Sequence, residues 1–367
     1  MGIPAPRPDL ATTEAPTTPA AARPKRTNDA IRELLSKWGL LIGLAALPVY
    51  FGIHDLTGSQ GDLSRLGENM VRGLSNGSIW ALIAIGYTLV YGIIELINFA
   101  HGDVFMIGAF TAFSFTGTIG LTLVTGPLGL VFGLFLTLII TMMVTGSLNV
   151  MIERVAYRPL RGAPKLAPLI TAVGFSFILQ NVGLLWRGGS QKSVPDLIKH
   201  NDEVVNLLGV PINNGDVLAI GVTIPLVIVL TAFITRSKVG KAMRATAQDP
   251  DAARLQGINV DTTISLTFLI GGMMAGAAGL IYALYQTSVS FNMGFQAGLI
   301  AFTAAVMGGI GNLKGAVLGG LVIGVIQELA DNRIGGQWVS AVVFGYLIMI
   351  MIFRPQGLIG EQTREAG

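Results

Sequence analysis

Side chains able to make or break covalent bonds are scarce in this chain, and their placement points to binding rather than catalysis. Cysteine is absent, which removes thiolate, disulfide and zinc-finger chemistry together. Of the three histidines, His54 and His200 fall in polar connecting stretches, and no serine–histidine or metal-ligand constellation emerges. No G-x-x-x-x-G-K-[ST] phosphate loop occurs, so ATP hydrolysis is not expected of this chain. What remains is a polar run, Asn98, His101, Gly102 and Asp103, between two apolar segments with almost no spacer, and Gln180-Asn181 further on. At membrane depth, such groups and the helix ends beside them coordinate a zwitterionic solute or form a gate. The other reading is a tight turn at the membrane surface, with Asp103 capping the next helix. Asn292 and Gln327-Glu328 are further polar interruptions, of a kind that often only joins helices to one another.

The elements that must position these residues are membrane spans. Hydrophobic residues make up 51% of the 367, charged residues only 12%, and there are 48 glycines, so the chain cannot cover itself with charge in water. Runs such as Leu128–Ile140 and Val217–Phe233 are apolar on nearly every face, as lipid-embedded helices require. The fold expected is therefore an all-α polytopic membrane protein with about 8–10 transmembrane helices, some broken or re-entrant. Residues 1–36 read as a disordered basic tail, and 37–53 as an extra N-terminal span that Pro48 kinks. Further spans are predicted at Ile79–Phe99, Val104–Leu123, Leu128–Met151, Leu166–Trp186, Val217–Ile234, Ile264–Tyr285, Gln296–Ile310, Ala316–Leu329 and Trp338–Ile352. Gly308, Gly309, Gly311 and Gly315 predict close helix packing or a broken helix.

Alternating these spans puts 18 lysines and arginines on one side and 6 on the other. The positive-inside rule makes the first side cytoplasmic, with both termini and the tail at 361–367. That bias, rather than a nucleic-acid partner, accounts for the formal charge of +3. The Asn98–Asp103 break falls on the same side, near a span end, as do Arg154, Tyr157 and Arg158, which read as membrane anchors or as an interface. The most ordered polar stretch there is 236–262. Gly240 and Arg244 lie in a first predicted helix over Val239–Ala247; Asp249-Pro250 stops it and starts a second, over Asp251–Gln256, which Gly257 ends in a left-handed turn. The result is a compact knob.

Asp251-Ala252-Ala253, three residues, then Gly257 resembles the EAA---G signature of ATP-binding-cassette importer permeases. By that resemblance the alanines sit against a groove in a partner and the acid reaches a basic side chain. Longer blocks carry the likeness further. ALIAIGYTLVYGIIELINFAHGD at Ala81–Asp103, IERVAYRPLR at Ile152–Arg161 and ITAVGFSFILQN at Ile170–Asn181 resemble the high-affinity branched-chain amino acid permeases of the Liv H type. So do GINVDTTISLTFLIGGMMAGAAG at Gly257–Gly279, AFTAAVMGGIGNLKGAVLGGLVIG at Ala301–Gly324 and RPQGLIG at Arg354–Gly360. The resemblance covers roughly Gly73–Gly360, in order, and the segment before about Gly61 is an addition to the usual family start.

The resemblance implies a permease domain over 61–360 with no cofactor, metal or catalytic residue of its own. It implies a second related permease, two ATP-binding subunits, a periplasmic substrate-binding protein and membrane lipid as partners. Gly240, Arg244, Asp251, Ala252, Ala253 and Gly257 become the expected ATPase-coupling residues. Asn98, His101, Gly102, Asp103, Gln180 and Asn181 become the expected pathway or gate. The cargo implied is leucine, isoleucine and valine, and the alternative is urea, short amides or other amino acids. A secondary transporter needs intramembrane carboxylates, for which Glu95, Asp103 and Glu328 are candidates near span ends.

Overall fold

A computed structural model gives the fold, and it describes residues 45–46, 48–53, 63–118, 120–121, 126–207 and 209–359. The tails at 1–36 and 361–367 lie outside these residues, as does most of the expected span at 37–53, of which 45–46 and 48–53 are helical. Among the described residues the architecture is helical: α1 Leu63–Ile94, α2 His101–Thr118, α3 Pro127–Ile152, α4 Leu166–Arg187 and α5 Asn214–Arg236. The short α6 Lys238–Gln248 and α7 Pro250–Leu255 follow, then α8 Val260–Gln286, α9 Met293–Gly308, α10 Leu313–Ile334 and α11 Gly336–Phe353. Two small antiparallel ribbons, β1 Lys192–Ser193 with β4 Ser288–Val289 and β2 Glu203–Leu207 with β3 Val210–Asn213, dress one end.

Seven of these helices are long and apolar enough to cross a membrane, which makes this a multi-pass membrane protein; α2 and α9, of 18 and 16 residues, are not among them. Burial sorts the seven into layers. The most apolar stretches of α1 and α8 are 78% and 72% buried, against 22% for α3, α4, α5 and α11. The outer four thus turn their leucines, isoleucines and phenylalanines outward, as contact with lipid or another membrane subunit allows.

Lipid supplies no hydrophobic drive between helices, so the inner ones meet through small residues. A Cβ added at Gly77 would stand 2.8 Å from the Leu321 backbone, and one at Gly320 2.5 Å from Ala81. This stripe clamps α1 antiparallel to α10.

Two helix–turn–helix units repeat at a constant offset along the chain. Helix α1 ends at Ile94 and α8 at Gln286; the next residues, Glu95 and Thr287, are both left-handed, with φ of 51° and 49°. Helix α2 then begins at His101 and α9 at Met293, and Ala109-Phe110-Thr111-Ala112 recurs as Ala301-Phe302-Thr303-Ala304. The start of α1 packs beside β3 and the end of α8 leads into the β1–β4 ribbon, so the two units run in opposite senses. This is an inverted repeat, the arrangement that brings helix ends to mid-membrane.

Candidate translocation and coupling site

At the end that carries the basic loops, Glu95 pairs with Lys165 at 2.9 Å in an exposed position, and its carboxylate raises the Lys165 pKa above the ordinary lysine value. From there residues 95–98 run back into the bundle without helical structure. Asp103 consequently lies deep: its Oδ2 accepts a 2.5 Å hydrogen bond from the Ser176 hydroxyl. Ser176 is near the middle of the 22-residue α4, about 15 Å from either end at ~1.5 Å per residue. Of the two readings of this break, the geometry matches a stretch that re-enters the bundle before α2 begins, and not a turn at the span end.

A carboxylate so deep needs compensation. Asp103 occupies the first turn of its own helix, and a Cβ at Gly294 in the first turn of α9 would stand 2.6 Å from Oδ1. The positive ends of two helix dipoles converge on it. Gln180 donates to the Ser176 hydroxyl at 3.2 Å and extends the network.

The neighbouring residues serve packing. Gly102 lies backbone to backbone against Gly294 and Gly298, its counterpart in the repeat and one turn beyond. His101 is fully buried between Gly86 and the Tyr87 ring, whose centroid is 4.8 Å away. Asn98 donates to Asn149 at 3.1 Å, and Asn149 to the Phe268 carbonyl at 2.7 Å, tying the re-entrant stretch to α3 and α8. Asn181 stands apart: it is exposed on the outer face of α4 and donates to the carbonyl of Phe177. Five of the six expected pathway residues thus gather in one region, and Asn181 does not.

The knob forms as two capped helices. The Ser237 hydroxyl accepts from Gly240 N–H at 2.9 Å, and the Asp249 carboxylate accepts from the amides of Asp251 and Ala252, each at 2.9 Å. Pro250 takes the first turn of α7, and Gly257, at φ 79°, ends it. Gly240 is needed because any Cβ would strike the Ile234 carbonyl, to which the Arg244 guanidinium also donates. Ala253 faces inward at 3% exposure, so only Ala252 of the alanine pair is left for a partner. The Asp251 side chain is 87% exposed and bonds Arg254 at 2.8 Å within its own helix. Leu255, 88% exposed, is the residue that sequence reasoning passed over. A large apolar side chain in the polar hexapeptide PDAARL was the available signal.

Just beyond the knob, ion pairs tie the root of α8 to the end of α3. Asp261, in the first turn of α8, accepts from Arg158 at 2.8 Å and from Arg161 at 2.5 Å. Arg161 also pairs with Glu153, which is fully buried and accepts from the Ser265 hydroxyl at 2.7 Å. These contacts join the end of α3, a π-helical turn over Glu153–Tyr157 and the root of α8. Of the expected anchors, Arg158 takes part, and Tyr157 is buried, with its hydroxyl donating to Ile97 O at 3.1 Å. Gly308 and Gly315 face each other backbone to backbone, and Gly309 and Gly311 have φ of 105° and 96°. Of the two readings, packing or a break, Gly308 and Gly315 have the geometry of close packing, and Gly309 and Gly311 lie in a tight turn between α9 and α10.

Residues 69–352 match the family model described as the branched-chain amino acid transport system permease component. The high-affinity branched-chain amino acid transport system permease protein BraD of Pseudomonas aeruginosa is 43% identical over 305 residues, covering 81% of this chain and 97% of BraD. The corresponding LivH of Salmonella typhimurium is 39% identical over 300 residues, with 81% and 96% covered. LivH of Escherichia coli K12 is 38% identical over 304 residues, with the same coverage of 81% and 96%.

Proposed function

The chain belongs to the branched-chain amino acid transport permease family, and on that premise we propose that it is the membrane-spanning subunit of an ATP-driven importer of leucine, isoleucine and valine. It works with a second related permease, two ATP-binding subunits and an extracytoplasmic substrate-binding protein, in a bacterial inner membrane. The 18-to-6 bias of basic residues supports a cytoplasmic basic end, with both termini on that side.

One observation carries the coupling assignment: α6–α7 buries Met243 and Ala253 on its inner side while Asp251, Ala252 and Leu255 project outward. An ATPase subunit gripping Leu255 and Asp251 would move the knob as a body. The displacement passes through Ser237 to α5 and through the Asp261 clamp to α3 and α8. Rocking of these helices about the small-residue core gives alternating access. Asn98, His101, Gly102, Asp103 and Gln180 form the interior hub around which the two inverted units turn.

The test is reconstitution of the complete importer. Leu255→Glu and Asp251→Lys should abolish co-purification with the ATPase subunits and ATP-dependent leucine uptake, with the fold intact by circular dichroism. Unchanged co-purification of both variants would overturn the coupling assignment. A second reading, ion-coupled transport, is favoured only by the depth of Asp103. Uptake that follows a proton gradient without the ATPase subunits would establish it instead.

A further inference from the structure

Three arginines and two carboxylates meet where α3 ends and α8 begins, so their charges do not cancel. Arg158 is paired with Asp261, and Arg161 with both Asp261 and Glu153. Arg154 is left over: it is exposed and has no ion pair or hydrogen bond among the described residues. It lies on the π-helical turn over Glu153–Tyr157, in which the Arg158 amide donates to the Glu153 carbonyl. Such wide turns are rare inside α-helices and gather at functional sites. This one buries Glu153 completely and leaves the next two residues, Arg154 and Val155, outside.

Arg154 lines a groove of about 540 Å³ between α3 and α8, a volume within the ~300–1,000 Å³ range of ligand sites. The two helices run antiparallel. The groove therefore extends from Arg154 and Thr262 at the basic end to Leu269, about 10 Å along α8 at ~1.5 Å per residue. Gly146 marks its inner end, because a Cβ there would stand 3.0 Å from the Leu269 carbonyl oxygen. Met151, Val155, Leu266 and Leu269 make most of the wall, and the Ser265 hydroxyl on the way is already bonded to Glu153. Thr262 is exposed in the first turn of α8, at the positive end of that helix. Helix α3 is one of the outer four, so the groove opens sideways on the membrane-facing surface.

We propose that this groove seats an anionic phospholipid from the leaflet at the basic end. Its phosphate lies against Arg154 and the Thr262 hydroxyl, and one acyl chain runs along Met151, Leu266 and Leu269. Charge complementarity selects this occupant. An unneutralised guanidinium at the end of the spans, above hydrocarbon walls, matches an amphiphile with an anionic head. A free phosphate leaves the apolar walls unused, and a zwitterionic head brings a second cation towards the surplus charge. Seated there, the lipid braces α3 against α8, the pair through which movement of the knob is passed on. That consequence rests on the importer reading; the binding itself does not.

The test uses the complete importer, delipidated in detergent, with retained lipids counted by native mass spectrometry during titration. The wild type should retain dioleoylphosphatidylglycerol about tenfold more tightly than dioleoylphosphatidylcholine, which has the same chains, as one charge-assisted bond requires. Arg154→Gln should retain one phosphatidylglycerol fewer per copy of this chain, and Arg154→Lys should keep it. Met151→Trp, which fills the groove from an exposed position, should also lose it. Glycerol 3-phosphate, an anionic head without chains, should not compete. A photo-crosslinking residue in place of Met151 should capture phospholipid when the importer is in nanodiscs of the two lipids. Equal retention of both lipids by the wild type, or an unchanged count in Arg154→Gln and Met151→Trp, overturns the proposal. Competition by glycerol 3-phosphate overturns it by marking a soluble-anion site, and crosslinking to another subunit by marking a protein interface. Size-exclusion profiles control for assembly, and the crosslinking arm needs no change at Arg154. Failure of the importer reading is separate: it shows as wild-type proteoliposomes, with all partners and ATP, that take up no leucine.

Discussion

Removing Arg161 tests the ionic clamp most severely. Glu153 has no exposure to solvent and two polar partners in the clamp, the Arg161 guanidinium and the Ser265 hydroxyl. Arg161→Met keeps much of the side-chain volume but leaves the carboxylate buried with the hydroxyl alone. Breaking one half of a buried ion pair costs about 3–5 kcal/mol. Because the Arg161 side chain is itself 23% exposed, water reaches the gap and the lower end, ~3 kcal/mol, is expected. Glu153→Gln in the same chain removes the stranded charge and should return most of the loss, a coupling of about 2 kcal/mol in a double-mutant cycle. The assay is denaturant unfolding of the purified permease in detergent, read beside leucine-stimulated ATPase activity of the assembled importer. Arg161→Met should also uncouple: ATPase activity persists while uptake falls, because Asp261 loses one of its two ties to the end of α3. A destabilisation below about 1 kcal/mol, or no rescue by Glu153→Gln, refutes the clamp.

Three further outcomes are expected. Gly257→Ala forces a side chain into φ 79° and should destabilise the knob by about 1–2 kcal/mol, read as faster proteolysis within 236–262 and weaker ATPase association. Asp103→Asn keeps the bond with Ser176 and should retain folding and ATP-driven uptake. Asp103→Leu leaves Ser176 and Gln180 without their acceptor and should lower the yield of folded protein by size-exclusion chromatography. Gly77→Leu meets the Leu321 backbone and should prevent stable insertion, whereas Gly221→Leu, where nothing lies within 4 Å, should be accepted.

Much of the fold was legible because hydropathy survives projection onto a line. The prediction at Leu166–Trp186 differs from the observed α4 by one residue, and the caps around Asp249-Pro250 and Gly257 formed as their side chains dictate. The start of α1 was misplaced at Ile79 for a physical reason. Arg65, Glu68, Asn69, Arg72 and Asn76 lower the hydropathy, yet the helix continues from Leu63, and Arg72 and Asn76 turn into a polar cavity. The inverted repeat was also written in the chain, in the paired Ala-Phe-Thr-Ala segments, and shows only when the two halves are compared.

By itself the sequence determined that this chain enters a membrane, which end is basic, where an ordered knob interrupts the spans, and which family it resembles. Those properties are sums or motifs along neighbouring residues, so no contact between distant parts is needed to read them. Tertiary structure alone decided that Asp103 lies mid-bundle, that Ala253 faces inward while Leu255 projects, and that Asp261 is tied to Arg158 and Arg161. It also gathered Asn76, Asp216 and Glu328 around one cavity. Depth and pairing depend on how the chain doubles back and on the field of residues far away in sequence. One-dimensional periodicity carries no record of either.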